Sequence, residues 1–147
     1  MKKTGNDIAN IIANLRNHAN AFIMTKLAEE GITELVPSHG AILVALYENG
    51  PQPMKAICER VNRDKSTMTV LVRKLEALDY VRREPDEKDN RSTIIHLTDK
   101  GVAFRSIFNR ISMELCQKIW GDTPENGREV LCRQLSEITR RLEAEVT

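Results

Sequence analysis

Apolar residues recur at spacings of three and four along most of this chain, and that periodicity predicts a mainly α-helical protein. A first stripe runs from Ile8 to Leu27 and ends at Gly31, a residue type that commonly stops helices. A second helix is predicted after Pro37, with Ser38 as its N-cap and Asn49-Gly50 as its end. The N-terminal third is therefore expected to form two helices joined by a short connection.

The same spacing predicts three more helices, one before and two after a central segment with a different pattern. Pro53 suits the first turn of a short helix that ends near Val61. A long helix follows Thr98, its predicted N-cap, and ends at Trp120 because the run from Gly121 to Pro124 interrupts it. A final helix carries an apolar stripe from Leu131 to Val146.

The central segment begins with a helix whose two faces differ in chemistry. Its apolar face is formed by Met68, Leu71, Val72, Leu75 and Leu78. Its opposite face carries Lys65, Ser66, Thr69 and Arg73, with no carboxylate among them. Asp64 is the predicted N-cap, with Asn62 as the alternative. From Arg60 to Lys74 five cations stand against one acid, which suits phosphate oxygens and base edges, although a solvated amphipathic helix would also fit.

A β-hairpin is predicted directly after this helix. Residues 80–83 and 93–97 are rich in β-branched and aromatic types and are predicted as strands, with a polar loop at 84–91 between them. Arg91 near the loop tip could enter a minor groove, where negative potential favours a guanidinium. Four acids in the loop argue against a purely electrostatic clamp, and Asp89 is expected to hold an arginine in place.

A polar-faced helix followed by a basic hairpin is the arrangement of a winged helix-turn-helix, in which the helix enters the major groove of DNA. The predicted contacts of the recognition helix are Arg63, Lys65, Ser66, Thr67, Thr69 and Arg73. The predicted contacts of the wing are Arg83, Lys88, Asp89, Asn90 and Arg91. The fold class is accordingly mainly α with a small β-hairpin wing, and the predicted function is sequence-specific binding of double-stranded DNA.

The central segment also resembles the MarR family of bacterial transcription regulators. The wing part of the resemblance is Asp89-x-Arg91 followed by Leu97-Thr98 and Gly101, and the helix part is Ser66-Thr67-Met68-Thr69, Leu75-Glu76 and Tyr80-Val81-x-Arg83. One departure is Asp79, where the family usually has a glycine that closes the helix. The resemblance implies a ligand-responsive repressor that acts as a homodimer on a pseudo-palindromic operator.

The resemblance and the apolar stripes together predict one domain over residues 1–147. A DNA-binding lobe is expected at about 35–100, and a helical dimerisation region at about 6–31 and 101–146. The terminal helices carry apolar stripes outside the winged core, and a second copy packed in two-fold symmetry would bury them. A monomer whose termini fold back onto its own core is the alternative.

A small-molecule cleft is implied by the resemblance, between the dimer-forming helices and the DNA-binding lobe. The residues expected to border it are His18, Phe22, His39 and Phe108. Each of these residue types is also common in a core or on a surface. Because no charge cluster accompanies them, the expected effector is a mostly apolar or aromatic compound.

Composition narrows the class of protein further. The formal net charge of the 147 residues is only +1, so a bulk polyanion binder is not expected. No secretory signal and no segment of transmembrane length is recognisable, which predicts a cytoplasmic protein without a membrane partner. Three dispersed cysteines are expected to be reduced and mostly buried, and no metal or cofactor is predicted.

Two other function classes compete with DNA binding. An enzyme would need convergent nucleophile, base or metal ligands, and the chain has neither a Gly-rich phosphate loop nor a nucleophile elbow. A winged-helix module that binds protein instead of DNA is the closer alternative. The polar face at Ser66, Thr69 and Arg73 argues against it, because a protein-binding face is usually more apolar.

Overall fold

The computed structural model describes residues 7–146, which divide into two compact units. Unit 1 extends to Ser112 and unit 2 begins at Met113. The sequence-based division placed the lobe at 35–100 and the helical region on both sides of it, within a single domain. That division stays a prediction.

Six helices and three strands follow one another along the described residues. Unit 1 holds α1 (Ile8–Glu29), α2 (Pro37–Asn49), β1 (Gln52–Pro53), α3 (Met54–Val61), α4 (Lys65–Ala77), β2 (Val81–Pro85) and β3 (Thr93–Leu97). Helix α5 (Asp99–Trp120) begins in unit 1 and continues into unit 2, which also holds α6 (Glu125–Val146). The predicted mainly helical fold with a small β-wing is confirmed.

The three strands form one antiparallel sheet in the order β1-β3-β2. Strand β2 reaches Pro85, so the loop predicted to begin at Glu84 begins at Asp86 instead. The reason is pairing: Glu84 faces Ile94 and Pro85 faces Thr93 across the hairpin. The short strand β1 has no sequence signal of its own, and Pro53 pairs with Ile94 rather than lying inside α3.

The core of unit 1 lies between α2, α3, α4 and the sheet. Its largest fully buried side chains are Ile42, Leu43, Leu46, Ile57, Met68, Val72, Leu75, Val81 and Ile95. Helix α4 contributes Met68, Val72 and Leu75, the apolar face predicted from its periodicity. Burying these three side chains is worth roughly 1.5–3 kcal/mol each, which fixes the rotation of α4 about its axis.

Helix α2 begins two residues earlier than predicted, and Ser38 is not its N-cap. The helix starts at Pro37, whose fixed φ suits the first helical position, and Val36 is the N-cap. The backbone N–H of Val36 donates to Nδ1 of His39 at 3.0 Å, so the imidazole takes the place of a capping side chain. Burial, and to a smaller degree Lys74, lowers the pKa of His39, which keeps the ring neutral and Nδ1 able to accept.

The connection from α4 to β2 depends on two residues with special backbone demands. Asp79 has a φ of 63°, so the position where the resembling family has glycine is left-handed here as well. Gly101, in the first turn of α5, lies so close to this connection that a Cβ would approach the carbonyl oxygen of Tyr80 to 2.1 Å. Thr98 caps α5 as predicted, accepting from the N–H of Gly101 at 3.1 Å.

The apolar stripes of the outermost helices are largely exposed in each unit taken by itself. In unit 1, α1 buries only Leu27 and leaves Ile8, Ile11, Ile12 and Leu15 between 41% and 53% exposed. In unit 2, α6 has no buried residue, and Leu142 is 63% exposed. Within residues 7–146, no helix is long and apolar enough to cross a membrane.

The prediction of mostly buried cysteines is wrong for two of the three. Cys58 on α3 is half-buried, and desolvation raises the pKa of its thiol. Cys116 and Cys132 belong to unit 2 and are exposed as free thiols, because the helix faces that carry them have little to pack against within that unit.

Replacing Asp79 with glycine is expected to stabilise the protein. The left-handed conformation costs an ordinary residue about 1–2 kcal/mol, and the greater unfolded-state freedom of glycine offsets about 0.5–1 kcal/mol of that gain. Asp79→Gly should therefore raise the free energy of unfolding by roughly 0.5 kcal/mol in urea titration. Ala77→Gly is the control and should lower it by roughly 0.5 kcal/mol, because Ala77 is the last residue of α4 and glycine favours the helix less than alanine does. Equal destabilisation by both changes would contradict this explanation of the turn.

Candidate nucleic-acid interface

The outer face of α4 is set by the burial of its inner face. With Met68, Val72 and Leu75 buried, the residues half a turn away project from the protein surface. Lys65, Ser66, Arg73 and Lys74 are exposed, as are Val70 and Ala77. Arg63 is also exposed and lies in the connection that precedes α4. The face is cationic and polar with a small apolar centre.

Asp64 is the N-cap of α4, as the sequence predicted, and its carboxylate organises the first turn. It accepts from the backbone N–H of Thr67 at 2.7 Å and from the hydroxyl of Ser66 at 2.6 Å. The hydroxyl of Thr67 also donates to it, at 3.0 Å. Hydrogen bonds from Ser66 first and then from Thr67 lower the pKa of Asp64 to about 2. The hydroxyl protons of Ser66 and Thr67 both point to the Asp64 carboxylate. Toward a partner outside the protein, these two oxygens can act as hydrogen-bond acceptors.

Thr69 and Lys65 lie toward the wing rather than at the centre of the outer face. Thr69 is half-buried, and its hydroxyl donates to the carbonyl oxygen of Lys65 at 2.7 Å. Both side chains line a cavity of about 430 Å³ between α3, α4 and the hairpin. The sequence grouped Thr69 with Ser66 and Arg73 on one face, whereas the structure places it at the edge of that face.

The wing loop is folded by its own acids. Asp86 accepts from the backbone N–H of Lys88, and Asp89 accepts from the backbone N–H of Arg91, each at 3.0 Å. Asp89 therefore orders the wing tip through the backbone of Arg91, in a turn of the kind that aspartate commonly forms. Lys88, Asn90 and Arg91 are exposed at this tip. Two of the four loop acids, Asp86 and Asp89, therefore have a structural role.

The cavity between helix and wing brings together cations from three elements. It is lined by Met54, Lys55, Cys58, Lys65, Thr69, Arg83, Asp89, Arg91, Ser92 and Thr93. Four of these residues are cationic and one is acidic, so the groove between α4 and the wing carries an excess of positive charge. Such a groove is suited to a phosphate backbone.

Arg83 is tied to α4 by a bidentate ion pair. Its Nε donates to Oε2 of Glu76, and its Nη2 donates to Oε1, both at 3.0 Å. The hydrogen bonds from Arg83 lower the pKa of the Glu76 carboxyl. The sequence pattern predicts Arg83 as a wing contact with DNA. In the protein alone its guanidinium fixes the wing against the recognition helix, and its contact with DNA stays a prediction.

Lys55 is a cation of this surface that the sequence did not single out. It is exposed on α3 and lines the cavity beside Lys65 and Arg91. Its position follows from the pairing of β1 with β3, which brings the start of α3 beside the wing. Because β1 is only two residues long and has no recognisable pattern, no signal in the sequence could have placed Lys55 here.

The four residues predicted to border a ligand cleft have different surroundings. His18 is exposed, with Nδ1 2.7 Å from the carbonyl oxygen of Asn14, and Phe22 lies under the ammonium group of Lys26. His39 is buried at the start of α2. Phe108 packs against the rings of Tyr47 and Phe104. None of the four lines the cavity beside the wing, and their role in a cleft stays a prediction.

Comparison with known proteins shows which family this part of the chain is similar to. The MarR family model matches residues 35–93, from just before α2 to the first residue of β3. The chain is 39% identical over 74 residues to the HTH-type transcriptional regulator SarZ of Staphylococcus aureus, an alignment that covers 50% of each protein. The chain is therefore similar to the MarR family over residues 35–93. It spans about half the length of the curated relatives it matches.

Solved structures of other proteins share the fold over nearly the whole chain. A MarR transcriptional regulator from Methanosarcina mazei Go1 superposes with a TM-score of 0.80 at 24% identity, covering 95% of this chain and 98% of its own. Reduced AbfR bound to DNA superposes with a TM-score of 0.74 at 25% identity, covering 93% and 92%. The suspected MarR resemblance is confirmed.

The ion pair between Glu76 and Arg83 should make stability depend on pH in a way that can be measured. Because the folded-state pKa of Glu76 is lowered, its contribution is complete above the ordinary value of 4.5 and is lost as pH falls through the lowered pKa. Both side chains are about one-third exposed, so the pair is worth at most about 1 kcal/mol.

Glu76→Gln should therefore unfold more easily than wild type at pH 7, and the difference should narrow at pH 3. Glu87→Gln is the control, since it removes a wing carboxylate outside the pair. Amide exchange in β2 should rise in the Glu76 variant and not in the control. A constant difference in unfolding free energy from pH 7 to pH 3 would show that the pair does not hold the wing.

Proposed function

We propose that this protein binds double-stranded DNA through α4 and the wing, and that it acts as a ligand-responsive repressor. The proposal is carried by one observation: the exposed, carboxylate-free outer face of α4 stands beside a wing cation, Arg91, across one positively charged groove. A guanidinium such as that of Arg73 matches O6 and N7 of guanine in the major groove.

The arrangement of acids around this surface supports the same proposal. Asp64, Asp86 and Asp89 accept hydrogen bonds from backbone N–H groups, and Glu76 is paired with Arg83. Each carboxylate charge is thus partly balanced within the protein. The exposed cations are the groups available to phosphate oxygens, and their neutralisation of phosphates would make binding sensitive to salt.

The relatives support DNA as the partner. The relative from Staphylococcus aureus is a transcriptional regulator of the helix-turn-helix type, and AbfR has been solved on DNA with a fold that covers most of this chain. In the proposed complex α4 lies in the major groove, and Arg91 at the wing tip reaches the neighbouring minor groove. That placement turns the carboxylate-free outer face of α4 toward the bases.

The proposed assembly is a homodimer. The exposed stripe of α1 in unit 1 and the exposed stripe of α6 in unit 2 each leave several aliphatic side chains in water, which is unfavourable. A second copy related by two-fold symmetry would cover both stripes. Two reading helices about 34 Å apart would then meet successive major grooves of a pseudo-palindromic operator.

The proposed regulation follows from the dimer. Because DNA accepts only one separation of the two reading helices, a ligand that prefers another separation lowers DNA affinity in proportion to its preference. The proposed effector is a mostly apolar or aromatic compound in a cleft bordered by His18, Phe22, His39 and Phe108. No catalytic step is part of the proposal.

Arg73→Ala and Arg91→Ala test the two halves of the DNA-binding surface. Binding would be measured by fluorescence anisotropy on a duplex enriched from a random pool, at several salt concentrations. Arg73→Ala should weaken specific binding by about 1–3 kcal/mol, because the guanidinium no longer pairs with a base. Arg91→Ala should lower the slope of log affinity against log salt by about one unit for each phosphate that is no longer neutralised.

The matched control is Arg16→Ala, which removes the same charge from an exposed position on α1. It should keep both the affinity and the slope. Wild-type affinity and slope in both test variants would overturn the proposed surface, and a protein that enriches no duplex would instead favour the protein-interaction module.

Leu142→Glu tests the dimer. Leu142 is 63% exposed within the single chain, so a carboxylate there should leave the fold of each unit intact. In a dimer the same carboxylate would be buried without a partner, at a cost that dissociates the assembly. Sedimentation at micromolar concentration should give a dimer for wild type and for the control Val36→Glu, and a monomer for Leu142→Glu. A monomeric wild type would remove the dimer and the paired half-sites with it.

A further inference from the structure

Val70 is an aliphatic residue at the centre of an otherwise polar surface. It is 66% exposed, more than any other large hydrophobic residue described in unit 1. On the helix it lies roughly opposite Met68 and Val72, which are fully buried, so no rotation of α4 that keeps the core could bury it. Its side chain points in the direction in which Ser66 and Arg73 also point.

Neither packing nor helix formation accounts for a valine at this position. The core is complete without it, and a β-branched residue is a poorer helix former than alanine or most polar residues. Its neighbours one turn away, Ser66, Arg73 and Lys74, are exposed and polar, so the apolar patch is too small for a protein partner. A small apolar group within a cationic face fits a different surface.

That surface is the major groove. The 5-methyl group of thymine is the apolar group that base pairs present there, and apolar side chains read it by direct contact. The surrounding groups of α4 suit the rest of such a site, with cations for phosphates and guanine.

We infer that Val70 reads the 5-methyl group of a thymine in each half-site of the operator, and so sets part of the sequence specificity. The inference rests on the proposed DNA-binding function, and it specifies which base Val70 contacts and which group of that base. Arg73, one turn along the same face, reads a neighbouring position, so the thymine lies within the bases that α4 covers.

The test removes methyl groups from the DNA, by replacing thymine with deoxyuridine, and from the protein, by Val70→Ala. An operator is first enriched from a random duplex pool with wild-type protein, and each thymine in a half-site is then replaced singly by deoxyuridine. At one thymine the replacement should weaken wild-type binding about fourfold per half-site, the ratio expected for burial of one methyl group. At that position Val70→Ala should bind the thymine and deoxyuridine duplexes equally.

Two controls separate this contact from other effects. Val102→Ala removes the same side chain from an exposed helical position on α5, and should keep the wild-type ratio of thymine to deoxyuridine affinity. Val70→Ala should fold at least as well as wild type, because alanine favours the helix. Its affinity for the thymine duplex should fall to the level at which wild type binds the deoxyuridine duplex.

The outcomes distinguish this inference from the function on which it rests. If Val70→Ala keeps the wild-type ratio at every thymine, or if no thymine in the half-site is sensitive, the protein remains a DNA-binding regulator and the methyl contact is refuted. If no duplex is enriched by the wild type, the proposed function fails and this inference is overturned with it.

Discussion

The burial of one face of α4 is the constraint on which the rest of the structure depends. Met68, Val72 and Leu75 have no exposed surface, and together they represent several kcal/mol of apolar burial that a rotated helix would lose. Helix geometry then leaves no choice about what faces outward. Arg73 and Val70 project from the surface because the core holds the opposite side. The candidate recognition surface is therefore a consequence of packing, and it can vary in sequence without disturbing the fold.

A second set of contacts fixes the wing relative to that helix. The bidentate pair of Glu76 with Arg83 joins α4 to β2, and the close approach of Gly101 to the carbonyl oxygen of Tyr80 joins the start of α5 to the same turn. These contacts fix β2 and the start of α5 relative to the end of α4. A preorganised groove matters because ordering side chains and loops at the moment of binding would reduce affinity.

Much of this could be predicted from the sequence, because periodicity and capping are local signals. The faces of α4 and the cap at Asp64 follow from residues a few positions apart. The left-handed turn at Asp79 agrees with the glycine that the resembling family has at this position. Ser38 is a local error, since Val36 is the N-cap of α2, and other features of the structure arise where distant segments meet. Strand β1 exists only because β3 pairs with it, and Lys55 joins the groove for the same reason. The pairing of Arg83 with Glu76 likewise depends on how the hairpin turns back onto the helix.

The central claim is that α4 enters the major groove of DNA with the wing beside it. Dimethyl sulfate footprinting tests it most directly, because the reagent methylates N7 of guanine in the major groove and N3 of adenine in the minor groove. Bound protein should protect guanine N7 in two successive major-groove segments, about one helical turn apart, with adenine N3 protected only at the flanks. Protection confined to the minor groove, or guanines equally reactive with and without protein, would contradict the account.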